Sequence, residues 1–143
     1  MKFMILLKAD KNTEAGALPD EKMLAAVGKY NEELLKAGVL LAGEGLQPSA
    51  KGARVKFSGD KRSVTHGPFP GAKELVAGFW IFRVKSKDEA IDWVKRCPNP
   101  MGDEAEIEIR QIFESADFGE ALTPELRAAE ERMAAQMAEN AKA

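Results

Sequence analysis

The chain has one cysteine and one histidine in 143 residues, and each scarcity removes a class of chemistry. With Cys97 alone, no internal disulfide can form, and neither a thiolate metal cluster nor a CxxC redox pair is available. One histidine beside one cysteine makes no convincing transition-metal site, and no carboxylate run has calcium-loop spacing, so no metal and no other cofactor is expected. Long apolar runs are missing as well. The opening MKFMILLK has one short apolar stretch with no basic n-region and no small-residue cleavage site. It reads as a first strand rather than a signal peptide, and nothing is expected to span a membrane. A reducing, cytoplasmic setting fits the lone thiol.

What is present is ordinary for a folded protein: 45% hydrophobic and 31% charged residues, in a length that one core can serve. The net charge of -2 hides an asymmetry. Residues 1–102 carry 17 Lys and Arg against 12 Asp and Glu, whereas residues 103–143 carry 4 against 11. Positive charge concentrates between Lys51 and Lys87, where nine basic residues meet only Asp60 and Glu74. An anionic small molecule or the acidic tail, of the same chain or of a second subunit, would answer that charge. Nucleic acid is not expected, because no helix-turn-helix or zinc-finger spacing occurs and aromatics are not interleaved with the basic residues.

Residues 2–8 are apolar on both faces, Phe3, Ile5 and Leu7 on one and Met4 and Leu6 on the other, which predicts a central strand covered twice. Pro19 suits the first turn of a helix carrying Met23, Val27, Tyr30 and Leu34 at helical spacing, and Gly38 stops it. A strand over 39–46 follows. Gly59-Asp60 then turns a hairpin between 53–58 and 62–65. Residues 75–84 again have two apolar faces, Leu75, Ala77, Phe79 and Ile81 against Val76, Trp80, Phe82 and Val84. Ser86 to Glu89 has the form of a capping box at the start of a second helix, which Pro98 and Pro100 end. In 105–113, Ile107 and Ile109 alternate with Glu106, Glu108 and Arg110, as in an edge strand buried on one side. Thr123-Pro124-Glu125 opens a third helix whose apolar stripe is sparse, so it is either a solvated tail or docked on a partner.

The order is α+β: a ferredoxin-like βαββαβ sheet with an extra hairpin, followed by a C-terminal helix. Helices within residues 1–114 can cover one face of the central strands. A second subunit's sheet is the natural lid for the other, which makes a homodimer. The face so covered is taken as Phe3, Ile5, Phe79 and Ile81, or its alternates one position along.

Thr65-His66-Gly67-Pro68-Phe69, then Ala72-Lys73-Glu74, Gly78-Phe79-Trp80 and the Asp88-Glu89-Ala90 helix, resemble the YCII-related family. The likeness is to its branch named for an Asp-Gly-Pro-Phe motif, and it covers residues 1–114, leaving 115–143 as an acidic helical extension. It implies a dimeric α+β barrel and says little about activity. His66 stands where that branch has aspartate.

His66 either hydrogen-bonds the backbone of the Gly67-Pro68 turn or offers a base titrating near neutrality at a barrel mouth. Glu44, between two glycines, faces either solvent or the cleft. Lys73 and Glu74 pair with each other, or Lys73 with Arg83 holds a small anionic ligand; Trp80 is core or ligand platform. Two functions remain in view. One is a small-molecule enzyme using acid/base chemistry, with His66 and Glu44 as the pair. The other is a non-catalytic, regulatory dimeric module binding a metabolite or a protein.

Overall fold

In the computed structural model, which describes residues 1–99 and 104–142, strand β1 (Lys2–Lys8) runs up the middle of an antiparallel sheet. After a one-turn helix α1 (Lys11–Glu14), helix α2 (Glu21–Lys36) leads to β2 (Leu40–Gly45), and β3 (Ala53–Ser58) with β4 (Lys61–His66) forms a separate two-stranded sheet. Strand β5 (Val76–Arg83), helix α3 (Lys87–Lys95) and strand β6 (Ile107–Gln111) complete the domain. The four-stranded order is β2-β5-β1-β6 with every pair antiparallel. This is the ferredoxin-like α+β arrangement, with the hairpin inserted between β2 and β5. The two strands that are apolar on both faces are the central ones, and the alternating strand β6 is at an edge.

Strand register assigns the faces. Phe3 stands across from Phe82 and Ile5 across from Trp80, whereas Met4 meets Ile81 and Leu6 meets Phe79. The buried cluster joins Phe3, Ile5 and Phe82 to Tyr30 and Leu34 of α2 and Ala90 of α3. Both helices therefore cover the Phe3 face. This corrects one grouping: Phe3 and Ile5 are core, and the open face is Met4, Leu6, Phe79 and Ile81. Those four are half-buried rather than buried.

Local chemistry explains most element boundaries. Asp20 caps α2 by accepting from the Met23 amide at 2.8 Å, so Pro19 lies before the cap rather than in the first turn. Ser86 caps α3 through the Glu89 amide, but Glu89 returns its carboxylate to the Lys85 amide at 2.8 Å, one residue short of a full capping box. Pro100 lies outside the described residues. The one polar group that α2 brings into the core is answered, for the Tyr30 hydroxyl donates to the Trp93 carbonyl at 2.6 Å.

The chain divides into two units, Met1–Ile112 and Phe113–Ala143. In the second, Phe113 stacks on Phe118 with centroids 4.9 Å apart. Thr123 caps helix α4 (Pro124–Asn140) through the Leu126 amide, as its sequence predicts. Leu126, Met133 and Met137 of that helix are exposed.

Leu34 is 0% exposed and its neighbour Leu35 is 60% exposed. Leu34→Ala should cost about 2–5 kcal/mol in a denaturant titration. Leu35→Ala should stay within roughly 0.5 kcal/mol of the parent. Equal effects would place the helix on the wrong face.

Candidate functional site

The segment after β4 reads Gly67-Pro68-Phe69-Pro70-Gly71, and its two prolines and two glycines exclude regular structure. It is held instead by Ser49, which opens a 3₁₀ turn (Ser49–Lys51) after Pro48. The Ser49 hydroxyl accepts from the Phe69 amide at 2.9 Å and donates to the Glu14 carboxylate at 2.5 Å, while the Ser49 amide donates to the other Glu14 oxygen at 3.0 Å. The Gly67 amide donates to the Gly52 carbonyl at 3.0 Å, and the Arg54 guanidinium lies 3.9 Å from the centre of the Phe69 ring. Residue 67 must be glycine at this approach, because a Cβ there would sit 1.7 Å from the Ser49 carbonyl oxygen. Three segments remote in sequence are thus tied at one serine, whose hydroxyl is used both as donor and as acceptor.

Helix α1 links that knot to a cleft. Asp10, its cap, accepts from the Thr13 amide at 2.8 Å, and the Thr13 hydroxyl accepts from the Asp10 amide at 2.9 Å. Asp10 lines a cleft of about 470 Å³ together with Lys8, Lys73, Asn99, Glu104 and Glu106, and Glu14 at the other end of the same turn clasps Ser49. The Lys8 ammonium lies 3.7 Å from Glu108. Two ammonium groups and three carboxylates around one opening suit a ligand of mixed charge better than a simple anion.

The five residues singled out by sequence lie apart. Lys73, on the 3₁₀ turn Ala72–Glu74, is the one that lines the cleft. His66 ends β4 opposite Ala53, exposed, and its imidazole makes no hydrogen bond among the described residues; Ser49 supplies the side-chain bond that the turn was expected to draw from position 66. Glu44 is exposed on the open sheet face opposite Phe79. Trp80 lies on the helix-covered face, its indole N–H donating to Asn31 at 3.0 Å and its ring meeting Tyr30 edge-on at 6.1 Å. Arg83, across from Lys2, is at the far end of β5 from Lys73.

Glu14, Ser49 and Asp10 were not singled out. Asp10-x-x-Thr13 is the signature that would have shown α1, since such a pair caps reciprocally. No sequence signal connects Glu14 to Ser49. Cys97 is half-buried, and burial pushes its thiol up to about 11. It is therefore protonated near neutrality and unsuited to nucleophilic work. Among the described residues no three His, Cys, Asp or Glu side chains converge to hold a metal ion, and no helix is long and apolar enough to cross a membrane.

The profile of the YCII-related domain matches residues 1–116. An uncharacterised protein of Rhizobium meliloti (strain 1021) is 27% identical over 93 residues, which span 65% of this chain and 75% of that protein. The solved structure of 5-chloro-2-hydroxyhydroquinone dehydrochlorinase from Burkholderia phenoliruptrix AC1100, in complex with 2,5-dihydroxybenzoquinone, aligns with a TM-score of 0.41 at 19% identity, covering 80% of this chain and 96% of that one.

Ser49→Ala removes both hydroxyl bonds and leaves the Phe69 amide and the Glu14 carboxylate short of a partner. A loss of about 1–3 kcal/mol in chemical denaturation is expected. His66→Ala, by contrast, should leave stability within roughly 0.5 kcal/mol of the parent. The reverse ranking would return the anchoring role to His66.

Proposed function

Since the chain belongs to the YCII-related domain family, we propose that it is a homodimeric, cytoplasmic domain that binds a small molecule of mixed charge in the cleft at the end of β1. We place it in the Asp-Gly-Pro-Phe branch, with His66 in the aspartate position. The observation that carries the reading is the lining of the cleft, where Lys73 and Lys8 stand with Asp10, Glu104 and Glu106. A ligand bearing both an amine and a carboxylate would find a partner of each sign. Pairing each of its charges with one of opposite sign would offset part of the cost of desolvating them.

Dimerisation rests on the open face. Met4, Leu6, Phe79 and Ile81 form a contiguous apolar surface on the two central strands, opposite the face that α2 and α3 bury. A second copy laid face to face would bury it at the spacing at which sheets stack, about 10 Å.

Acid/base catalysis by His66 and Glu44 asks those groups to converge. They stand on different sheets, both are exposed, and His66 lacks the hydrogen bond that orients a general base. Binding is therefore the better supported role for this chain.

A thermal-shift screen of zwitterionic metabolites tests the ligand. A true ligand at about 100 times its Kd stabilises by about 2.7 kcal/mol, and Lys73→Ala should abolish that gain without changing the unliganded melting temperature. Hits that ignore Lys73, or that the protein turns over in a His66-dependent way, would refute the reading. In sedimentation, Phe79→Glu with Ile81→Glu should convert the dimer to a monomer, because a repeated carboxylate pair would be buried. A dimer unaffected by both changes would put the contact elsewhere.

A further inference from the structure

The β3–β4 ribbon has no buried residue from Ala53 to Ser58 or from Lys61 to His66. Its register separates two chemistries. Val55 pairs with Val64 and Phe57 with Arg62 on one face; Lys56 pairs with Ser63 and Ser58 with Lys61 on the other. Val55, Phe57 and Val64 are 51%, 69% and 56% exposed. From Lys51 to His66 there are five cations, Lys51, Arg54, Lys56, Lys61 and Arg62, and one acid, Asp60. None of the five takes part in an ion pair among the described residues. Two cations are engaged locally: Arg54 lies over Phe69, and Arg62 bonds the Gly59 and Lys61 carbonyls at 2.9 Å and lies over Phe57. Lys56 and Lys61 stand free on the polar face.

A two-stranded sheet has two open edges, each with a row of unpaired amides and carbonyls, and a lone hairpin gains stability from a third strand. Side chains of an added strand alternate between the two faces. Here they would meet valines on one side and lysines on the other. We infer that the ribbon is a docking edge for an extended protein segment in which apolar and acidic residues alternate. The apolar residues would lie along Val55 and Val64, the carboxylates would reach Lys56 and Lys61, and the backbone would pair with an open edge. Nucleic acid fits less well, because a phosphate chain offers nothing to Val55 and Val64, and the acidic remainder of the chain repels it.

The probe is a fluorescein-labelled peptide of alternating Glu and Val, read by fluorescence anisotropy with the full-length protein. Saturable binding is expected. It should weaken severalfold when salt rises from about 0.1 M to about 1 M, which cuts the Debye length from about 10 Å to about 3 Å. Lys56→Glu with Lys61→Glu should weaken it at least about tenfold, as reversal of two facing charges does. Both positions are exposed, so the variant should keep the parent melting temperature. A peptide of the same composition with Glu and Val in separate blocks should bind several times more weakly. Equal affinity for the block peptide would overturn the proposal by reducing it to bulk charge. Tighter binding of a DNA oligonucleotide would overturn it in favour of nucleic acid. Loss of the dimer in the double variant, with no peptide binding by the parent, would overturn it in favour of a second copy of this chain.

Discussion

A β-sheet presents two faces, and a strand that is apolar on both needs a cover for each. Here that requirement falls on β1 and β5 together, through Phe3, Ile5 and Phe82 on one face and Met4, Leu6, Phe79 and Ile81 on the other. Two crossover helices satisfy the first face, because each βαβ unit returns its helix to the same side of the sheet. The connectivity that fixes the strand order therefore also leaves the second face open. The exposure of that apolar face is a result of the topology rather than a feature added to it.

The end of the sheet follows a different logic. Little is deeply buried there, and order comes from hydrogen bonds placed on a single hydroxyl. Ser49 receives the Phe69 amide and gives its proton to Glu14, so the turn before β5 is fixed by a side chain on a segment that directly follows β2. Helix α1 holds both Glu14, which clasps Ser49, and the Asp10 cap, which lines the cleft. One short helix thus stands between the cleft and the turn.

The sheet was legible in the sequence because its signals are local and periodic. Two-faced runs at 2–8 and 75–84 gave the central strands, alternation at Ile107 and Ile109 gave the edge, and Thr123-Pro124 gave the start of α4. Matching faces across strands was not legible, because register depends on partners far apart in sequence; Phe3 shares a face with Phe82 rather than with Phe79. The site was less legible still. Lys73 reached the cleft, but His66, Glu44, Trp80 and Arg83 scatter over the domain, since chemical type alone carries no information on where a side chain converges. The Glu14 to Ser49 bond spans 35 residues and belongs to no motif.

The chain's two tryptophans and its one tyrosine share a single neighbourhood. Trp80 touches Tyr30 edge-on and bonds Asn31, Tyr30 bonds the Trp93 carbonyl, and Trp93 carries Arg96 over its ring at 4.1 Å. Every strong chromophore of the molecule is thus at the seam between sheet and helices. Intrinsic fluorescence will register the parting of that seam and will be blind to the ribbon, the knot at Ser49 and the second unit, whose loosening must be followed by a label placed there for the purpose.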